Sequence, residues 1–177
     1  MSMHFENSDV VHMTPKKAYK TVRDELRELA PYIGNVQKIE RVEYTKKSRN
    51  LINIVNHWYG YADIPSILKP IAKPEYLQWE DVSEWLDDKL RANFRMKSFH
   101  GKNLFDLVGS MWFMPEGKKE TRLKIAVELD IHYENLPGVP RLLAGRIEKY
   151  IKDIVTAKAT PNINRLAWAL NTYTQKK

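Results

Sequence analysis

The sequence predicts an α+β fold: one strand, one helix, six further strands in an antiparallel meander, and a long C-terminal helix. Three observations carry this reading. From Lys89 to Lys97 every odd position is polar, and the even positions are Leu90, Ala92, Phe94 and Met96. Such strict period-two alternation suits a half-buried antiparallel strand, whereas a helix would scatter the charges around its circumference. Thr121 to Tyr133 alternates in the same way, with Leu123, Ile125, Val127, Leu129, Ile131 and Tyr133 on one face. By contrast, Leu142, Leu143, Ile147, Tyr150, Ile151, Ile154 and Val155 form the continuous apolar stripe of a helix.

The bulk properties narrow the class. A chain of 177 residues is expected to form one domain, residues 1–177, with a sizeable core. Its 43% hydrophobic and 29% charged residues are those of a globular protein, not of a disordered or membrane one. No apolar run reaches 18 residues, so no transmembrane helix is expected. The first residues, MSMHFENSDVV, lack the basic segment and apolar core of a signal peptide. The absence of cysteine excludes a disulfide framework and a thiolate metal site, and fits a cytoplasmic location. A net charge of +7 would attract nucleic acid or an anionic membrane. The basic residues are dispersed, however, with no run longer than Lys46-Lys47. Nucleic acid is therefore not the expected partner, while transient membrane contact stays open.

The elements follow in order. Phe5 to Met13 suits a strand. Thr14-Pro15 reads as an N-cap with proline at the first helical position. Tyr19, Val22, Leu26 and Leu29 then recur at helical steps, ending near Pro31 or Gly34. Val36 to Thr45 and Leu51 to Tyr61 are strands separated by the polar turn Lys46 to Asn50. The buried face of the second is ambiguous, since Ile52, Ile54, Asn56 and Trp58 compete with Val55, His57, Tyr59 and Tyr61. Prolines 65, 70 and 74 forbid a long helix or central strand in the next segment. Around Ile67 to Ile71 that segment reads as a lid or as a rigid connector.

Tyr76 to Leu86 and Lys89 to Phe99 form a hairpin about Asp87-Asp88. His100 to Asn103 is a turn, Leu104 to Met114 an apolar strand, and Pro115 to Lys118 another turn. Thr160-Pro161 should kink or restart the final helix.

Few residues carry chemical potential within this pattern. The glycines give no phosphate-binding spacing. His4, His12, His57, His100 and His132 are far apart, without metal-ligand spacing, so neither a metal nor a cofactor is expected. No nucleophile elbow occurs. The five carboxylates Glu80, Asp81, Glu84, Asp87 and Asp88 look at first like a catalytic cluster. On a strand, Glu80 and Glu84 share a face with Val82 and Leu86, and Asp81 lies with Trp79, Ser83 and Trp85. Asp87 and Asp88 fall in the turn. The set is expected to be solvated, paired with the basic face of the next strand, and removed from chemistry.

The pattern resembles the START-like, helix-grip superfamily, also called SRPBCC, which includes lipid-transfer domains, aromatic polyketide cyclases and coenzyme Q-binding proteins. The marks are the strand beginning at Phe5, TPKKAYKTVRDELRELAPYIGNV running into VQKIERVEY, NHWYGYADIP, the hairpin around LQWEDVSEWLDDKLRANFRM, and PGVPRLLAGRIEKYIKDIV. The resemblance implies a curved antiparallel sheet of about seven strands packed around the long C-terminal helix, with an apolar cavity between them.

The expected wall of the cavity that the resemblance implies is read from the strand alternation and the helix stripe; the same residues would otherwise be ordinary core. The wall comprises Asn56 and Trp58; Leu90, Ala92, Phe94 and Met96; Leu107, Met111 and Phe113, with Gly109 opening space; Ile125, Val127 and Leu129; and Leu143, Ile147 and Ile151 from the helix. Asn56, His57 or Tyr59 would orient a mainly apolar ligand. The leading expectation is therefore a non-catalytic binding or carrier protein for a lipid, isoprenoid or polycyclic aromatic. Two alternatives stand beside it. One is an aromatase/cyclase-like enzyme using His57, Tyr59 or Arg95, although the alternation sets Arg95 toward solvent. The other is a protein- or ribosome-interaction domain.

Overall fold

Thr14 is extended (φ −64°, ψ 152°) and Pro15 follows it at the first helical position, so the chain turns from strand into helix there. The structure, a computed structural model, describes residues 2–64, 66, 68–71, 73–98 and 103–177. The side chains of 151, 154–155 and 158–163 are outside that description. The expected turn at His100 to Lys102, the strand end at Phe99, and Pro65 and Ile67 also fall outside it.

The order is β1 (Ser2–Val11), α1 (Pro15–Leu29), β2 (Val36–Lys46), β3 (Leu51–Gly60), β4 (Gln78–Leu86), β5 (Arg91–Ser98), β6 (Phe105–Pro115), β7 (Thr121–Ile131) and α2 (Ala144–Gln175). All seven strands join one antiparallel sheet in the order β1-β7-β6-β5-β4-β3-β2. Six strands thus form the predicted meander, and β1 closes onto β7, the last strand.

The alternation holds through the sheet. Even positions of β3 and β5 and odd positions of β4, β6 and β7 share the inner face. Ile52, Ile54, Asn56 and Trp58 are buried, which settles the face of β3 that sequence left open. Leu90 departs from the pattern. It lies in the turn between β4 and β5 with φ +46°, and its carbonyl accepts the Phe113 N–H at 3.1 Å. The turn needs a left-handed residue to reverse the chain, so Leu90 leaves the alternation at a cost of about 1–2 kcal/mol.

Helix α1 buries Tyr19, Val22, Leu26 and Leu29 against the inner face. The Tyr19 ring meets Trp85 and Phe113 edge-on at centroid distances of 5.3 and 5.5 Å. Its hydroxyl donates to Asp87 at 2.8 Å, and Arg23 Nη1 donates to the same carboxylate at 2.6 Å. Burial and the Asp87 carboxylate raise the Tyr19 pKa. The β4–β5 turn is thereby fastened to α1.

Helix α2 continues through Pro161 as one element, so the expected restart does not occur. Its two flanks are both held by packing, with Ile147 buried on one side and Ala167, Ala169 and Leu170 on the other. Asn164 and Asn171 bond to β1, and Asn171 spans the His12 N–H and the Val10 carbonyl. Tyr173 and Lys177 reach Glu25 on α1.

Candidate functional site

One curved sheet and two helices leave space between them. A cavity of about 470 Å³ lies there, within the usual range for small-molecule sites. Its floor is Trp58 from β3, Trp79 and Trp85 from β4, Ala92, Phe94 and Met96 from β5, Leu107 and Met111 from β6, and Ile125, Val127 and Leu129 from β7. Val22 and Leu26 of α1 and Leu166 of α2 roof it. Tyr61, 59% exposed, stands at one rim with Gly60, Ala62 and Leu77.

Two glycines keep this volume from being filled. A Cβ on Gly109 would lie 2.6 Å from Phe94 Cζ and 2.8 Å from the Ala126 carbonyl oxygen. A Cβ on Gly60 would lie 2.8 Å from Trp79 Cζ3 and 2.9 Å from the Leu77 carbonyl oxygen. Each glycine leaves a recess in which an aromatic ring lies down against the sheet. Gly109 was expected to open space directly; the Phe94 ring occupies that space instead.

Nine expected wall residues line the cavity: Trp58, Ala92, Phe94, Met96, Leu107, Met111, Ile125, Val127 and Leu129. Five others do not, so the expected wall is corrected there. Asn56 is buried behind it, and Leu90 is drawn into the turn. Phe113 is consumed by the Tyr19–Trp85 cluster. Leu143 is 42% exposed at the start of the C-terminal helical region, and Ile147 is buried elsewhere. The side chain of Ile151 lies outside the described residues. Sequence reasoning missed Phe5, Val22, Leu26, Val36, Trp79, Trp85 and Leu166, because alternation identifies a face but not which of its residues border a void.

The larger miss is Asp81. It is not solvated: it is 4% exposed and lines the cavity. Trp58 Nε1 donates to its Oδ2 at 3.2 Å, while Oδ1 has no partner among the described residues. Desolvation pushes its pKa up to about 7, against the opposing pull of the Trp58 and Asn56 side chains. Asn56 Oδ1 and Trp79 Nε1 are also buried without partners among the described residues. Ser83 is satisfied, donating to the Ile54 carbonyl and accepting from Trp85 Nε1.

The other proposed polar groups sit elsewhere. His57 lies 3.0 Å from Glu80, and Tyr59 donates to Glu40 at 2.9 Å; neither lines the cavity. Arg95 pairs with Asp106 at 2.8 Å on the outer face, joined by Lys97 at 3.7 Å. The basic face of β5 therefore reaches across to β6, where pairing with the acids of β4 was expected. The proline-rich segment contributes its ends: Ala62 and Leu77 border the cavity, whereas Leu68 to Ile71 do not. Ile71 instead faces Gly138, where a Cβ would come 3.3 Å from its Cγ2.

A second space of about 380 Å³ adjoins the first and shares Leu77, Trp79, Met96, Leu107 and Leu129 with it. Among the described residues no group of His, Asp and Glu could hold a metal ion. No described helix is long and apolar enough to cross a membrane.

No protein-family model and no curated protein matches this sequence. Solved structures do match in fold. TTHA0849 from Thermus thermophilus superposes with a TM-score of 0.64 at 18% identity, covering 95% of this chain and 97% of that one. The Zhui aromatase/cyclase from a Streptomyces species gives 0.61 at 10% identity, over 96% and 94% of the two chains. A START superfamily protein from Mycobacterium smegmatis gives 0.57 at 11% identity, over 98% and 97%. The fold is the START-like helix grip. The helix-grip likeness spans nearly the whole chain, and at these identities it establishes architecture alone.

Proposed function

We propose that this chain is a cytoplasmic carrier for a hydrophobic small molecule: a lipid, isoprenoid or polycyclic aromatic. One observation carries the reading. A cavity of about 470 Å³ is walled almost wholly by apolar side chains, between the sheet and the two helices. Binding would follow from burial of apolar ligand surface, at roughly 25 cal/mol per Å² before the costs of association. Native mass spectrometry of gently purified protein, with a screen of lipids and polycyclic aromatics, tests it. A stoichiometric adduct is expected. A protein that arrives empty and takes up no member of the screen would defeat the proposal.

A second reading, an aromatase/cyclase-like enzyme, draws on Asp81. Such chemistry needs a group that moves protons inside the cavity. His57, Tyr59 and Arg95 do not line it, but Asp81 does, with a pKa of about 7. Turnover of a polyketide substrate that Asp81→Asn leaves intact would remove this support.

A further inference from the structure

The cavity has one polar anchor, and its chemistry narrows the ligand. Apart from Tyr61 at the rim, Asp81 is the only titratable side chain among the described lining residues. Asn56 and Trp58 flank it from β3, Trp79 and Ser83 from its own strand, and Met96 is its partner on β5. Val22 and Leu26 of α1 and Leu166 of α2 face it across the cavity. None of these is charged. An orphaned polar atom at a buried site is costly, and a ligand group that satisfies it gains specificity as well as affinity.

We infer that Asp81 anchors a neutral, mainly apolar ligand through a phenolic or alcoholic hydroxyl, and discriminates against ligands that carry a carboxylate. This rests on the carrier reading above. The geometry supports it in three ways. Trp58 holds Oδ2, leaving Oδ1 as the atom without a bond. Oδ1 is itself covered, so the carboxyl turns about its broad terminal torsion to present it to the cavity, exchanging the Trp58 bond for one to the ligand hydroxyl. A hydroxyl donates to a carboxylate and also accepts from a carboxylic acid, so it suits Asp81 in either state.

A carboxylate ligand meets the opposite situation. No cation among the described lining residues neutralises it, and an ionised Asp81 repels it in a poorly solvated space.

Equilibrium dialysis of the full chain with 2-naphthol, 2-methylnaphthalene and 2-naphthoate tests the assignment. Wild-type protein is expected to prefer the naphthol over the methyl isostere by about tenfold. Asp81→Leu should abolish that preference while still binding 2-methylnaphthalene, which also shows that the variant is folded. Asp81→Asn should keep part of the preference and bind 2-naphthoate better than wild type at pH 8. Wild-type affinity for 2-naphthoate should fall between pH 6 and pH 8, and that of Asp81→Asn should not. Equal wild-type binding of naphthol and methylnaphthalene, or a preference that survives Asp81→Leu, overturns the anchor and leaves the carrier reading standing. Failure of all three probes to bind overturns the anchor, and together with an empty screen of lipids and polycyclic aromatics it overturns the carrier reading as well.

Discussion

The two ends of the inner sheet face are built from the same kinds of residue, yet one is solid and the other hollow. At the end beside the β4–β5 turn, Tyr19 descends from α1 between Trp85 and Phe113, and its hydroxyl finds Asp87. At the other end Trp58 and Trp79 stack flat, with centroids 5.8 Å apart and planes 19° from parallel. Trp79 and Phe94 rest in the recesses of Gly60 and Gly109. Aromatic content does not decide whether a space is filled. What decides it is whether the ring points across the gap or lies along the sheet, and whether the opposing helix supplies a large side chain there. Trp85 is the boundary, belonging both to the solid cluster and to the cavity wall.

Breaking the solid end should have the largest effect. Tyr19→Ala removes a fully buried ring and the bond to Asp87, so a loss of about 3–5 kcal/mol is expected in denaturant unfolding. Tyr19→Phe keeps the ring and should cost about 1 kcal/mol.

The hollow end should respond differently. Asp81 is neutral in both folded and unfolded chains below its unfolded value of 3.8. Because its folded pKa is raised to about 7, stability that is fully present at low pH is lost as pH climbs from about 4 through 7. Asp81→Asn does not titrate. It should therefore match wild type near pH 4 and be more stable at pH 8, by about 1–3 kcal/mol in thermal or urea unfolding. A pH-independent difference would contradict the buried, uncompensated carboxyl.

Gly109→Ala tests the recess. The new methyl must displace Phe94 or the Ala126 carbonyl, so about 1–3 kcal/mol should be lost and the ring driven toward the cavity. Uptake of a ligand identified by the screen should drop with it. Leu129→Phe should show the smallest stability change, within about 1 kcal/mol, because empty space is available beside it. Reduced ligand uptake without loss of stability would separate this end of the sheet from the first most cleanly.

Much of this was legible in the chain. The strict alternation of Ala92, Phe94 and Met96 and of Ile125, Val127 and Leu129 placed those side chains on the face that borders the cavity. The Thr14-Pro15 start and the stripe through Tyr19, Val22, Leu26 and Leu29 set α1, and those four side chains are buried. Leu90 shows where alternation runs out, since turn geometry outweighs parity at a strand end.

Asp81 shows something subtler. Its parity with Trp79, Ser83 and Trp85 was plain in the sequence and marked it as inward. Its nearness in the chain to four other carboxylates points instead toward solvent. Strand geometry divides such a cluster by face, and the two tryptophans of matching parity were the signal to follow. Void against core was not legible, because it depends on how far each side chain of α1 reaches across to the sheet.

The placement of the indoles has a practical consequence. Of five tryptophans in the chain, Trp58, Trp79 and Trp85 border the cavity. Trp112 lies between Arg91 and Lys124, and Trp168 is half exposed. Indole emission tracks the polarity and contacts of its surroundings, so an occupant would perturb three emitters together and leave two as an internal reference. The unlabelled protein thus carries its own optical gauge of occupancy.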